Sequence, residues 1–321
     1  MTELITIDDI RAAEAAIDGR LLRTPTMASP GLEAALGVPV TLKLELLQHT
    51  GCFKPRGVLN KIATLGAAER GCGVVTFSGG NHGIAVATTA KRLGIPATVV
   101  MPRHVPAASI DKVRAQGAHL ILTEDVAEAY AVSQEEEAKG LAYLHPFNDP
   151  VVIAGQGTVG LEFITDAPDV TDILISIGGG ALLSGSATAI KALRPEVRVW
   201  GVETVGAEAM TKALKAGRPV EMKPTSIATT LSPPAVSEIT LTHVRALAED
   251  VLLVEDADAV RGLLTLAEAS KLWAEPAAGC LIPAARRVIE RVGPDVRLGL
   301  VICGGNVSFA DVTGWVARFD L

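Results

Sequence analysis

The feature that most constrains this chain is an alternation of two kinds of segment. Short runs rich in β-branched residues, at 40–45, 73–78, 97–101, 119–122, 173–177, 197–203, 251–254 and 298–303, take turns with longer Ala/Leu-rich amphipathic stretches. The stretches at 7–17, 57–65, 81–93, 107–116, 127–139, 156–164, 181–193, 207–216, 256–272 and 276–292 carry helical periodicity. Strands that alternate with helices predict βαβ units and open, twisted, mostly parallel sheets flanked by helices, an α/β fold. Near-continuous apolar strands such as DILISIG fit sheets covered on both faces. The length of 321 residues leaves room for two domains. There is no internal repeat, and the longest irregular stretch is KPTSIATTLSPPAVSE at 223–238.

Composition excludes several partners. Net charge is -7, no Lys/Arg block occurs, and aromatics make up only 3%, which argues against nucleic acid and against an anionic membrane surface. No apolar run reaches the roughly 18 residues that span a bilayer. The opening MTELITIDDIRAAEAA reads as an acidic, capped helix without a secretion signal's basic and apolar regions, so a cytoplasmic location is expected. Cys52, Cys72, Cys280 and Cys303 form no CxxC pair and have no flanking histidines at zinc spacing; Cys72 and Cys280 read as buried, reduced thiols.

Four glycine-containing segments follow predicted strands: TGCFKPRG at 50–57, SGGNHG at 78–83, GGGAL at 178–182 and CGGN at 303–306. Loops at the carboxyl ends of strands are where open α/β sheets bind ligands. In GGGAL, glycines let backbone N–H groups converge and the helix that follows adds positive potential, a cradle suited to a monophosphate. No Lys-Ser/Thr pair accompanies it, which disfavours a triphosphate with Mg²⁺. Lys54 lies between Phe53 and Pro55, where shielding would lower its pKa and favour a neutral, nucleophilic amine. Taken alone, its spacing favours a solvated loop lysine beside Arg56.

In this order, the motifs resemble the fold-type II pyridoxal-phosphate enzymes (tryptophan synthase β-like), and among them the serine/threonine dehydratase family with its serine racemase-like branch. The resemblance runs over nearly the whole chain and rests on KLELLQHTGCFKPRG, FSGGNHGIAVA, HPFNDPVVIAGQGTVGLE, SIGGGALLSG and VICGGNV. It implies that Lys54, next to Phe53, holds pyridoxal 5'-phosphate as a Schiff base, and that Asn81 packs beside the ring. It assigns the phosphate to the amides of Gly178, Gly179, Gly180, Ala181 and Leu182, and the pyridine nitrogen to Cys303. Ser78, with the Gly79, Gly80, Asn81 and His82 segment, would bind the substrate carboxylate. A thiol at Cys303 cannot stabilise a protonated ring nitrogen as a carboxylate would, which suits β-elimination more than transamination. The implied reaction is elimination of water from a small β-hydroxy amino acid such as L-threonine or L-serine, with Lys54 removing the α-proton, to give a 2-oxo acid and ammonia. A bulkier substrate such as hydroxyaspartate or phenylserine, racemisation, or cofactor binding without catalysis are the alternatives.

Departures from the family pattern refine this. The racemases' second base, a serine, falls at Gly79, which disfavours racemisation. Glu203 keeps one acid of a divalent-cation site, but Ala209 replaces the second, so no metal site is expected. The Ile-Ala-Asp-Gly segment reads Ile227-Ala228-Thr229-Thr230, which leaves substrate choice open. Glu275 in EPAAG resembles a position near the cofactor's edge, and is equally explained as a carboxylate at a helix N-terminus. His82 and His145 read as backbone-bonding and turn-shaping residues. The resemblance further implies a large cofactor-binding domain at 1–68 and 143–321, an inserted small domain at 69–142 that closes over substrate, a homodimer, and no C-terminal regulatory domain.

Overall fold

Each β-branched run becomes a strand in the computed structural model, which describes residues 4–321. The strands are β1 (Thr26–Ala28), β2 (Val40–Lys43), β3 (Val74–Phe77), β4 (Ala97–Pro102), β5 (His119–Thr123), β6 (Ala142–Tyr143), β7 (Asp172–Ser176), β8 (Arg198–Thr204), β9 (Asp250–Val254) and β10 (Leu298–Val301). They form a six-stranded sheet in the order β1-β2-β10-β7-β8-β9 and a four-stranded sheet in the order β5-β4-β3-β6. All pairings are parallel except β1 with β2 at the edge of the larger sheet. The fold is thus α/β, with helices flanking two mostly parallel sheets. The smaller sheet is drawn from one continuous stretch, and β6 straddles the boundary expected at 142/143.

Burial follows the pattern. Every residue of β7 is buried, as a central parallel strand covered on both faces requires. One large apolar cluster, with Phe163, Ile173, Leu174 and Leu300 among its members, fills the space around the larger sheet. Separate clusters around Val74, Val99 and Val100 serve the smaller one.

Helix starts are set by capping. Thr6 caps Ile7–Ile17 in a box with Asp9, and Asp149 accepts from the amides of Val151 and Val152 to begin Pro150–Asp166. Glycines let three helices meet closely beside the larger sheet. A Cβ on Gly155 would lie 2.6 Å from the Gly57 Cα, and one on Gly160 would lie 2.5 Å from the Ser186 Cα. Pro150–Asp166 therefore ties Pro55–Thr64, which begins just after Lys54, to Ala181–Leu193, which begins at the glycine cradle.

A buried charge quartet locks the same region. Arg56 donates to Glu45 at 2.9 and 2.7 Å and to Glu162 at 2.7 and 2.9 Å, while Lys43 donates to Glu162 at 2.5 Å. Two cations face two anions, and every charge is matched, as burial of this depth demands.

Several elements differ from the periodicity reading. β1 and β6 have three and two residues, too few for a repeat to declare itself. Pro30–Leu36 is a helix that the periodicity does not declare, started by proline at its first position. Ala67–Cys72, Glu238–Leu247 and Phe309–Phe319 are also helical. The segment 276–292 is two helices that meet at Cys280. Cys280 is buried as expected, but Cys72 is exposed, because the helix that it ends buries no residue.

Candidate active site

The loops that follow β2, β3, β7 and β10 bring the chemistry together at the carboxyl ends of parallel strands. An isolated antiparallel bridge pairs Cys52 with Gly304, and the Phe53 amide donates to the Cys303 carbonyl at 3.1 Å. The lysine segment is thereby fastened to the CGGN turn.

Lys54 sits immediately before the helix Pro55–Thr64, and its amine donates to the Pro146 carbonyl at 3.2 Å. It lies 5.1 Å from the Phe53 ring centroid and has no carboxylate partner in an ion pair among the described residues. The surrounding protein pushes its pKa down to about 8, against the opposing pull of Cys52, Cys303 and Glu275. That is the state of a nucleophile or a base, not of a structural cation.

The cradle follows β7. Gly178 and Gly179 lead into Gly180, which holds φ +94° at the start of the helix Ala181–Leu193. Gly180 can adopt this left-handed conformation without the cost a side chain would incur. A Cβ on Gly179 would fall on the ring of Phe147. Phe147 directly follows Pro146, so two adjacent residues touch the lysine amine and the cradle. The first amides of this helix have no carbonyl four residues earlier to accept from them, and Ala181 and Leu182 are buried. This donor set, with an amine of lowered pKa across two residues of chain, fits a ligand that carries a monophosphate and an aldehyde.

Asn81 opens the helix Asn81–Leu93, and its side chain is engaged at both ends. Its Nδ2 donates to both carboxylate oxygens of Glu275 at 3.1 Å, and its Oδ1 accepts from Asn306 Nδ2 at 2.8 Å. Glu275 is the N-cap residue of the helix Pro276–Gly279 but makes no side-chain cap hydrogen bond to it. The carboxylate accepts from Asn81 and from Thr230 Oγ1, the latter at 3.1 Å. Burial raises its pKa, while the Asn81 and Thr230 hydrogen bonds pull the other way. The three-residue turn Thr229–Leu231 thus leans on the site, and the Thr230 carbonyl lies 3.1 Å from where a Gly178 Cβ would stand.

Cys303 is buried with its Sγ 3.5 Å from the Ser176 Oγ. Burial first, and the Glu275 carboxylate second, hold its thiol well above the usual range, so it stays neutral. In the loop after β3, the Ser78 hydroxyl accepts from the Gly80 amide at 3.3 Å. Gly79 faces Val105: a Cβ at position 79 would stand 2.6 Å from the Val105 Cγ1. His82 is buried, its pKa pushed down to about 3 by burial and by Lys54, and its Nε2 donates to the Leu144 carbonyl at 2.9 Å. His145 Nδ1 accepts from the amides of Phe147 and Asn148 at 3.2 and 2.8 Å, which shapes the turn that presents Pro146 and Phe147. Burial pushes His145 down to about 4. Both histidines are therefore neutral near pH 7 and poor proton donors.

Glu203 lies outside this group. It accepts from the amides of Met210 and Thr211 at 2.7 and 2.9 Å, and from Thr211 Oγ1 at 2.7 Å. Its carboxylate thus caps the helix Ala209–Ala216, and burial raises its pKa to about 7.

The structure gathers the lysine, asparagine, glycine-loop and cysteine segments that sequence reasoning singles out. Beside them it seats Glu275, Thr230 and Asn306, whose segments the sequence analysis also names, and it adds Pro146, Phe147 and Val105, which are joined to the site only through long-range contact.

A family profile described as "Pyridoxal-phosphate dependent enzyme" matches residues 17–304. The chain is 41% identical over 309 residues to an L-threonine ammonia-lyase of Thermotoga maritima, covering 95% of this chain and 76% of that one. It is 34% identical over 306 residues to an L-threo-3-hydroxyaspartate ammonia-lyase of a Pseudomonas species, covering 94% and 95%. Among solved structures, maize serine racemase superposes with a TM-score of 0.91 at 34% identity, covering 99% of this chain and 98% of that one.

Proposed function

The chain belongs to the pyridoxal-phosphate dependent enzymes, and from that premise we propose that it eliminates water from a small β-hydroxy amino acid, L-threonine first, to give a 2-oxo acid and ammonia. The observation that carries this is the pairing of Lys54 with the glycine cradle through adjacent residues. The Pro146 carbonyl accepts from the Lys54 amine, and the Phe147 ring fills the side-chain space of Gly179. The 41% identity to an L-threonine ammonia-lyase supports the choice of substrate.

In this reading the amides of Gly178, Gly179, Gly180, Ala181 and Leu182 would hold the phosphate, Asn81 and Phe53 would hold the ring, and the Cys303 thiol would serve its nitrogen. When bound, the cofactor supplies an aldehyde that captures amines and a conjugated ring that withdraws electrons from the adjacent carbon. The chain's residues do the rest. Ser78 and the Gly79, Gly80, Asn81 and His82 segment hold the substrate carboxylate, whose charge suits a helix N-terminus. Lys54, with its lowered pKa, takes the α-proton near neutral pH. Cys303 stays protonated and would offer no negative charge to a bound ring nitrogen, which suits elimination better than transamination. Position 79 offers no side chain that could serve as a second base, and Val105 occupies the space that one would need. Elimination is favoured over racemisation for that reason.

Domains at 1–68 with 143–321, and at 69–142, closure of the smaller over substrate, a homodimer and a cytoplasmic location complete the proposal. No helix among the described residues is long and apolar enough to cross a membrane.

A substrate panel tests the function. Purified protein loaded with cofactor is assayed for 2-oxo acid and for D-amino acid with serine, threonine, hydroxyaspartate and phenylserine isomers. L-Threonine should give 2-oxo acid and ammonia in equal amounts with little D-isomer. Turnover of hydroxyaspartate alone would move the assignment to that substrate, dominant D-product would make the protein a racemase, and no turnover at all would reduce it to a cofactor-binding protein.

A further inference from the structure

One chain of hydrogen bonds runs from the surface of the smaller sheet's unit into the cleft. Lys112 lies on the helix Ala107–Ala115, which follows β4. Its exposed ammonium donates to Asn306 Oδ1 at 2.7 Å. Asn306 Nδ2 donates to Asn81 Oδ1 and to the Thr50 carbonyl, both at 2.8 Å. Asn81 Nδ2 then donates to the Glu275 carboxylate at 3.1 Å.

The polarity of this relay is forced from both ends. A side-chain amide has one face that donates and one that accepts, and either orientation fits a site by shape alone. At the inner end the Glu275 carboxylate, when ionised, only accepts, so Asn81 must turn Nδ2 toward it and Oδ1 toward Asn306. Asn306 must then turn Nδ2 inward. Its Oδ1 is left pointing outward, where Lys112, which only donates, satisfies it. Space for the Asn306 amide exists because position 51 is glycine: a Cβ there, at φ +72°, would lie 2.8 Å from Asn306 Oδ1.

We propose that Lys112 is a positioning residue, which reaches from the helix over the smaller sheet to Asn306 and reinforces, through Asn306, the amide orientation that Glu275 and the Thr50 carbonyl set at Asn81. The Lys112 bond is exposed and contributes little to folding. Its effect lies in the orientation of two amides and in joining helix Ala107–Ala115 to the CGGN turn. The relay gives a physical link between where the smaller sheet's helix stands and how the cleft is set. Its importance for turnover rests on the elimination reading above; its effect on the amides does not.

The test exploits a sparse residue. The chain has asparagine at only four positions, 60, 81, 148 and 306, so asparagine-selective isotope labelling yields four side-chain amide groups by NMR. In the cofactor-loaded protein, Lys112→Met should shift the side-chain signals of Asn306 and of Asn81, which Lys112 does not touch, and leave those of Asn60 and Asn148 in place. Lys112→Arg, which keeps the charge and the donors, should restore them. With L-threonine, Lys112→Met should lose about tenfold in kcat/KM, the scale of a modest misplacement of a site group, and Lys112→Arg should recover most of it. An unmoved Asn81 signal in Lys112→Met overturns the proposal, as does a kinetic loss that Lys112→Arg does not repair. If the amide signals move but the wild-type protein turns over no β-hydroxy amino acid, the relay stands and the elimination reading falls.

Discussion

In the proposed reaction Lys54 is the base and position 79 offers none, and each can be tested by itself. The surroundings of Lys54 lower its pKa from 10.5 to about 8. Only the neutral amine attacks an aldehyde, and its share grows as pH rises through the pKa. Capture of pyridoxal phosphate by cofactor-free protein should therefore accelerate as pH approaches about 8 and level off above it, as followed by absorbance after rapid mixing. A rate that still climbs toward pH 10.5 would mean that the amine keeps its ordinary value. At position 79 the obstacle is steric. A serine Cβ would stand 2.6 Å from Val105 Cγ1, and overpacking of this kind costs about 1–3 kcal/mol. Gly79→Ser should melt at lower temperature and eliminate more slowly, and Val105→Ala in the same chain should restore both. A double variant no better than the single one would show that Val105 is not what excludes a side chain there.

At the scale of elements, the lysine helix is held by charge as well as by packing. Arg56 is fully buried, and its guanidinium satisfies Glu45 and Glu162 together. Arg56→Met leaves those two carboxylates with Lys43 as their only cation, and removal of one partner from a buried ion network costs about 3–5 kcal/mol. Urea unfolding of the cofactor-free protein should show a loss of that size, and Arg56→Lys should recover only part of it, since an ammonium cannot reproduce the two-sided fork. A loss within about 0.5 kcal/mol of zero, the range of an ordinary surface change, would contradict this role. The quartet also shows where sequence reading stops. Strands such as β7 are legible because they are apolar throughout, and helices such as Asn81–Leu93 because they repeat over 13 residues. The charges of Lys43, Glu45, Arg56 and Glu162 carry no such signature. Arg56 and Glu162 are 106 residues apart, and only the close approach of two glycine-bearing helices brings them together.

For the whole molecule, loops at the strand ends of both sheets meet at one site. The motif loops are legible because each concentrates glycine, asparagine, lysine or cysteine just after an apolar strand. Their partners are not. Asn81 and Glu275 meet across 194 residues, and Pro146 reaches Lys54 across 92. A carbonyl acceptor such as that of Pro146 has no side-chain chemistry to read at all. Cys72 shows the same limit in reverse: a thiol read as buried lies exposed, because its short helix packs no face inward. The central claim is that this two-sheet frame exists to hold pyridoxal phosphate on Lys54. Borohydride reduction of the cofactor-loaded protein, followed by proteolysis and mass spectrometry, tests it most directly. The pyridoxyl group should be found on Lys54 in stoichiometric amount, with Lys54→Ala colourless and unlabelled. Label on another lysine, or an unlabelled chain that nonetheless yields 2-oxo acid from L-threonine, would contradict it.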